Sequence, residues 1–576
     1  MRNVRGVNVP LYDVKKITDL KDMISQSAEL FGEKPAFLVK NKNESEYQPI
    51  SYIQFKEDIE ALGTALISLG LKDKRIAIMG ENRYEWAVTY LAVVNGVGII
   101  VPLDRELPVK EIENLITVSK VNAIVYSGKH EEDILSISNI SENIQYYVNM
   151  DKDSDQDPSL SFWKLVEEGR KLLKQGDRSF IDARIDPEEM RILLFTSGTT
   201  GLAKGVMLSH KNICTNLMAM SSMVYIDEKD TFLSVLPLHH TYECTCGFLC
   251  PIYRGSTVAY CEGLRHIVKN LKESKATMML AVPLIFESMY KKIWQQAEKN
   301  GMASKMKAAL KISNFLKFFG IDISKKIFKK IHSNLGGHMR LLISGAAAID
   351  PIVAKGFRDF GILLLQGYGL TECSPIVALN RDCNYRDDAA GLPMPGVEVQ
   401  INNPNDEGIG EIICKGGNIM LGYYENEAAT NAVMKDGWFY TGDLGFMDKD
   451  GFVHITGRQK NVIVTKNGKN IFPEEVESYL NRSPYIAESL VWGKFDQESG
   501  ETYVNAQIMP DYEAIEEKLG KEYSEDDIKK LLSSEVRNVN HNMPLYKRIV
   551  DFTIRKEEFK KTTTRKIKRY LEHPEK

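Results

Sequence analysis

The chain has 576 residues, 43% hydrophobic and 26% charged, with a formal net charge of −4. That length exceeds what one hydrophobic core serves and implies two or three folding units, while the near-balanced charge argues against nucleic acid as a partner. The longest apolar stretch, residues 90–103, is broken by Asn95 and Pro102 and falls short of the roughly 20 residues a membrane-spanning helix needs.

The first ten residues carry no apolar core of signal-peptide length. Eight cysteines lie scattered through the chain, as expected for reduced thiols in a cytoplasmic protein. Cys244, Cys246 and Cys250 form a C-x-C-x3-C cluster, but no second Cys/His pair stands at zinc-like spacing. They read as core thiols.

Residues 36–52 read as a hairpin, and 55–71 carry apolar side chains at helical spacing. Strands at 75–79, 98–103 and 121–126 then alternate with helices at 86–94 and 109–117, the pattern of a doubly wound parallel sheet. Residues 128–188 are more polar, and the acidic run at 151–158 reads as a solvated excursion.

The apolar run 192–195 opens into Leu194-Phe-Thr-Ser-Gly-Thr-Thr-Gly-Leu-Ala-Lys-Gly205. Thr196, Ser197, Thr199 and Thr200 supply hydroxyls, Gly198 and Gly201 let backbone N–H groups turn inward, and Lys204 adds an ammonium. A polyanionic phosphate needs that combination. The Walker spacing G-x-x-x-x-G-K-[ST] does not fit, because Lys204 is followed by Gly205 and no glycine directly precedes it. A P-loop ATPase is therefore excluded.

A helix at 209–223 precedes an apolar strand, 232–238, that ends in His239 and His240. Paired histidines at the carboxyl edge of a parallel sheet are either structural or part of a ligand site. Between Phe232 and Cys250 the only acid is Glu243, and Thr245, Cys246, Gly247, Phe248 and Leu249 are apolar or small. An ammonium substrate would lack a partner there, so the window suits an uncharged, apolar tail.

Residues 291–330 hold eleven lysines against two acids, Glu298 and Asp322, with Ile312, Phe315, Leu316 and Phe319 on one helical face. Either this is a solvated basic helix or an interfacial patch that approaches anionic lipid. A strand at 341–344 then ends in the small residues Gly345 and Ala346, which suit a flat ring lying against backbone. Another ends in Gly367-Tyr-Gly369, followed by Thr371 and Glu372. There a tyrosine can stack on a purine, a threonine can donate to phosphate, and a carboxylate can hold a divalent cation.

Residues 410–416 and 420–424 read as part of a smaller β unit. Asp443 follows an aromatic strand and a glycine, where a carboxylate can accept both hydroxyls of a ribose. Arg458 and Lys460 come one short strand later, and from there the chain changes character. A hairpin at 462–472 turns at Lys466-Asn-Gly-Lys469, Pro473 starts a helix, and strands at 488–492, 502–509 and 548–554 with a helix at 526–540 complete a small α+β unit. The tail from Lys560 to Arg569 is densely basic.

Over most of its length the chain resembles the adenylate-forming (AMP-binding) superfamily, and within it the bacterial long-chain fatty acyl-CoA synthetases. The resemblance implies an α/β fold: a large N-terminal domain of doubly wound sheets plus a distorted β unit, residues 1–457, and a small mobile α+β domain, residues 458–576. It implies ATP-dependent conversion of a medium- or long-chain fatty acid to acyl-AMP, then transfer to a thiol, CoA, with release of AMP and pyrophosphate. ATP, Mg²⁺ and CoA are the implied cofactors and co-substrates.

By the same resemblance Thr196, Ser197, Gly198, Thr199, Thr200, Gly201 and Lys204 bind the phosphates. Gly345, Ala346, Gly367, Tyr368, Gly369, Thr371, Asp443 and Arg458 complete the nucleotide site, Glu372 and Thr196 hold the metal, and His240 lines the acyl site. Lys566 is the implied catalytic lysine, Lys460 the hinge, and Lys466, Gly468 and Lys469 the thiol-side loop. Two positions depart from the family pattern: Lys560 replaces a proline and Arg565 a glycine, which leaves Lys561 and Lys568 as rivals to Lys566. An acyl carrier protein as acceptor, luciferase-like oxidation and a non-catalytic nucleotide or acyl sensor stay open. A peripheral membrane contact through 291–330 and a homodimer complete the expectations.

Overall fold

Short apolar runs buried on both faces satisfy their backbone only by pairing with one another, and two large sheets result. A computed structural model describes residues 9–40, 46–138, 143–196, 203–466, 469–498, 500–562 and 566–572. The chain divides into two compact units, residues 1–399 with 414–439, and residues 400–413 with 440–576.

In the first unit an eight-stranded sheet carries Lys74–Met79, Gly98–Pro102, Ala123–Tyr126 and Tyr146–Asn149 in parallel. Gly98–Pro102 neighbours Met190–Thr196, which turns back as the antiparallel strand Lys204–Ser209. The polarity of 128–188 concealed order. Tyr146–Asn149 and Ser159–Ser161 extend this sheet to its edge, and the run at 151–158 is the largely exposed turn between them. The helix Phe162–Lys174 buries Phe162, Leu165 and Val166. It lies so close to the helix Tyr52–Ser68 that a Cβ on Gly169 would stand 1.8 Å from the Ala61 carbonyl oxygen.

Residues 420–424 correct the sequence reading. They do not join a smaller β unit; Gly422–Tyr423 pairs antiparallel with Met207 and Val206 in this first sheet. The pairing covers an edge that Lys204–Ser209 would otherwise expose.

A nine-stranded sheet has a parallel centre of Thr257–Tyr260, Thr231–Ser234, Met278–Ala281, Leu341–Ser344 and Leu363–Gly369. Leu233, Met279, Phe286, Leu342, Phe357 and Leu364 bury their side chains against one another. Parallel strands bring their carboxyl ends to one edge, where ligands bind in such sheets. The strand at 231 ends at Ser234, short of the expected 238, and Asn82 takes up the Leu236 carbonyl and the Leu238 N–H in place of a ladder. His239 and His240 therefore sit in the following turn, not at the strand's end.

In the second unit residues 443–447 of the strand Trp438–Met447 pair antiparallel with Val453–Arg458. Asp443 thus lies inside a strand, where the sequence had suggested a position after one. Ile486–Asp496 and Glu501–Pro510 are antiparallel, with Ile549–Ile554 parallel to the latter. The helix Pro473–Leu480 starts on its proline with Glu474 and Glu475 in the first turn, and Glu525–His541 on a Ser524–Asp527 capping box. Val476, Val491, Ile508 and Leu532 meet in the core of this unit. Among the described residues no helix is long and apolar enough to cross a membrane.

Candidate active site

Thr196 faces Lys204 and Phe195 faces Gly205 across an antiparallel pair, so the two ends of the glycine- and threonine-rich loop are pinned together. Ser197, Gly198, Thr199, Thr200 and Gly201 lie outside the described residues. Gly205 is tightly placed: a Cβ there would sit 3.0 Å from Leu193 and 3.2 Å from Tyr424. Its carbonyl accepts the Tyr424 N–H at 2.7 Å.

The Lys204 ammonium lies 4.7 Å from the centre of the Tyr423 ring. The Tyr423 hydroxyl in turn donates to Glu372 Oε1 at 2.9 Å. Main-chain bonding tightens the same corner, the Met420 N–H donating to the Glu372 carbonyl at 2.8 Å. Lys204 on one sheet and Glu372 on the other thus meet through one tyrosine. Glu372 occupies the helical turn Thr371–Cys373, just past Leu363–Gly369. A Cβ on Gly369 would stand 1.8 Å from the Pro375 carbonyl oxygen, so only glycine lets the chain turn there. Tyr368 is buried, while Gly367 and Thr371 are half-buried.

Among the described residues no three His, Cys, Asp or Glu side chains converge. Glu372, a single half-buried carboxylate beside a phosphate-type loop, fits Mg²⁺, which takes one or two carboxylates and fills its shell with phosphate oxygens and water. Tyr423 escaped the sequence reading. Gly422-Tyr-Tyr424 looks like ordinary strand, and a phenol signals a site only once its partner is known.

Along the edge of the nine-stranded sheet, Gly345 follows Leu341–Ser344 and Ala346 takes a left-handed φ of 71°. A Cβ on Gly345 would stand 2.7 Å from the Tyr242 ring, whose hydroxyl donates to the Ile343 carbonyl at 3.0 Å. Tyr242 opens a π-helical segment, Tyr242–Leu249, whose remaining side chains are buried. The His239 and His240 rings are 4.1 Å apart. Burial, with the Arg105 cation second, pulls the His239 pKa down to about 3, so that ring is neutral.

Glu243 accepts from Ser234 Oγ at 2.6 Å, and burial pushes its pKa up to about 8. Burial thus favours its protonated, uncharged form near neutral pH. Asn82 clamps the same loop, donating from Nδ2 to the Leu236 carbonyl at 2.6 Å and accepting the Leu238 N–H at 3.1 Å. Nothing in the sequence around Asn82 signalled that role. The Cys244, Cys246 and Cys250 thiols are buried and their pKa values pushed up by that burial.

In the second unit Asp443 is buried opposite Arg458, whose Nε lies 2.8 Å from its Oδ1. Desolvation of the Lys566 ammonium and the nearby Arg458 cation lower its pKa to about 8, against the pull of Asp443. Much of the residue's own surface is exposed, so the lowering comes from the ammonium's surroundings and not from burial of the whole side chain. Backbone bonds brace this segment, the Thr562 N–H donating to the Lys566 carbonyl at 2.8 Å.

Lys561 is committed elsewhere, with Nζ 2.6 Å from Glu488. Lys460 sits in the turn Gln459–Asn461, its pKa lowered by desolvation and then by Arg458. Lys466 and Lys469 are exposed near the hairpin tip, Lys469 Nζ lying 4.5 Å over the Tyr546 ring. Gly468 and Arg565 fall outside the described residues.

The AMP-binding enzyme family matches residues 24–424. The chain is 29% identical over 544 residues to long-chain-fatty-acid–CoA ligase 1 of Cavia porcellus, covering 88% of this chain and 75% of that protein. It is 28% identical over 480 residues to long-chain-fatty-acid–CoA ligase FadD15 of Mycobacterium bovis, covering 80% and 76%. O-succinylbenzoate coenzyme A synthetase (MenE) from Bacillus subtilis, solved in complex with ATP and magnesium ion, shares the fold with a TM-score of 0.71 at 20% identity, over 95% of this chain and 98% of that one.

Proposed function

The chain belongs to the AMP-binding enzyme family, and on that premise we propose that it is an ATP-dependent acid–thiol ligase acting on fatty acids of medium or long chain. A carboxylate oxygen attacks the α-phosphorus of ATP, pyrophosphate leaves, and acyl-AMP forms. The thiol of CoA then attacks the acyl carbonyl: the C–S bond forms, the bond from the acyl carbon to the phosphate oxygen breaks, and AMP leaves. The names of the Cavia porcellus and Mycobacterium bovis relatives support the acyl and thiol classes. The corner joining Lys204, Tyr423 and Glu372 supports the reading, because it brings a cation and a half-buried carboxylate together at the neck of the hydroxyl-rich loop.

A carboxylate is a weak nucleophile approaching a polyanion, so the protein's task is to neutralise charge and fix geometry. Lys204 with the hydroxyls of Thr196, Ser197, Thr199 and Thr200 would hold the β- and γ-phosphates, aided by the bare backbone of Gly198 and Gly201. Mg²⁺ held by Glu372 with Thr196 would neutralise phosphate charge. Gly345, Ala346, Gly367, Tyr368 and Gly369 would receive the purine, Thr371 a phosphate oxygen, and Asp443 with Arg458 the ribose.

Lys566 would bridge the attacking carboxylate and the α-phosphate, where negative charge gathers. It would be delivered by domain 458–576 turning about Lys460 against domain 1–457. The same domain would present Lys466, Gly468 and Lys469 for the thiol step. His240 would line the acyl site, beside a buried segment in which Glu243 is neutral, a wall suited to an uncharged tail. Cytoplasmic residence belongs to the same proposal.

The test is exchange of labelled pyrophosphate into ATP across a ladder of fatty acids. Exchange should require the acid and peak at a medium or long chain. Exchange that ignores added acid, or favours amino acids, overturns the reading.

A further inference from the structure

We infer that the end of the helix Ala303–Phe318, with the turn that follows it, is an aromatic wedge that enters the headgroup–acyl boundary of an anionic lipid bilayer. The wedge rests on the fatty-acid reading only for its purpose, which is to meet a sparingly soluble substrate where it resides.

The helix buries a single side chain, Ser313. Lys317 ties its inner side to the body of the unit, donating to the Arg358 carbonyl at 3.0 Å. What remains outward is strongly apolar. Ile312, Phe315, Phe318, Phe319 and Ile321 are 57%, 65%, 78%, 62% and 52% exposed, on one helix end and its turn. The rings are already assembled, with centroids 5.2 Å apart for Phe315 and Phe319 and 5.4 Å for Phe318 and Phe319. Isolated exposed apolar residues need no explanation, but a contiguous cluster of this kind marks a surface that something covers.

Charge decides what covers it. Lys292, Lys299, Lys305, Lys307, Lys311, Lys325, Lys326, Lys329 and Lys330 are all exposed, and the segment contains no arginine. Protein interfaces favour arginine, tyrosine and tryptophan and are depleted in lysine. At a bilayer, by contrast, a lysine stem lies along apolar surface while its ammonium reaches the phosphates. A second copy would bring two strongly cationic faces together and be repelled. An anionic lipid surface complements both the rings and the charge.

The test uses the full chain and sedimentation with vesicles of phosphatidylcholine alone or mixed with phosphatidylglycerol. The protein should bind the mixed vesicles without ATP or acid and release them as salt rises. Phe315→Ser, Phe318→Ser and Phe319→Ser combined should weaken that binding by about tenfold or more. Lys325→Glu, Lys326→Glu, Lys329→Glu and Lys330→Glu combined should weaken it by a similar factor. Both variants change exposed side chains, so pyrophosphate exchange with a short, soluble acid should match the parent.

A parent that stays in the supernatant overturns the inference. So does a triple phenylalanine variant that binds like the parent, or a dimer of the parent that the triple variant dissolves. A parent that binds vesicles through these residues yet exchanges no pyrophosphate rejects the ligase reading and leaves the wedge standing.

Discussion

Replacing Tyr423 by phenylalanine removes one hydroxyl from the corner between the two sheets and leaves the ring. That hydroxyl donates to the Glu372 carboxylate at 2.9 Å. Hydrogen bonds to charged groups contribute about 1.5–3 kcal/mol net, and a half-buried acceptor belongs near the lower end. A loss of about 1.5 kcal/mol is about tenfold in an equilibrium constant. The contact of Lys204 with the ring face at 4.7 Å should survive, since phenylalanine keeps the ring. The loss should therefore fall on the orientation of Glu372. Apparent Mg²⁺ affinity in acid-dependent pyrophosphate exchange should weaken about tenfold, in line with removal of other outer-shell partners of metal ligands. Saturating Mg²⁺ should restore the rate, and the thermal midpoint should stay close to the parent's. An unchanged Mg²⁺ titration, or a loss that Mg²⁺ does not restore, would show that the tyrosine does not serve this carboxylate.

Lys566→Ala should abolish adenylate formation yet spare thioester formation from supplied acyl-adenylate; equal loss in both half-reactions contradicts the assignment. Because the folded pKa of Lys566 is about 8, its charged fraction falls above that pH, and kcat/KM for adenylation should decline about tenfold per pH unit there. Lys566→Arg should flatten that limb, since a guanidinium stays charged. Gly369→Ala places a Cβ 1.8 Å from the Pro375 carbonyl oxygen and should destabilise the first unit by about 3 kcal/mol. A parental urea midpoint would refute that.

Glu243 titrates at about 8 when folded against 4.5 ordinarily, so the folded state holds a proton the unfolded chain has lost. Its stabilising contribution is complete below about 4.5 and drains away as pH rises to about 8. Glu243→Gln cannot lose that proton. The variant's thermal midpoint should gain on the parent's across that window and level off above it. A constant difference would mean the carboxylate is already ionised.

Local structure was legible in the residues alone. Buried parallel strands declare themselves as unbroken apolar runs. The hairpin at 462–472 and the proline-started helix after it were readable because turn and cap preferences act over a few residues. Polarity misled at 146–149 and 159–161, where Asn149, Ser159 and Ser161 are buried with hydrogen-bond partners, and at 162–174, where an amphipathic helix keeps one face wet. The apolar run 232–238 misled in the opposite way, since the strand ends at Ser234 and the chain turns before His239.

Partnership across long separations required the fold. Residues 420–424 look like any short strand until their register against Val206 and Met207 hands the Tyr423 hydroxyl to Glu372. Of the tail lysines, Lys561 differs from Lys566 only because the end of the chain brings Glu488 to within 2.6 Å of it. Glu243 reads as an ordinary acid until burial beneath Ser234 neutralises it. Short-range preferences depend on neighbours in the chain, whereas the charge and partner of a buried side chain depend on which distant strand the sheet sets beside it.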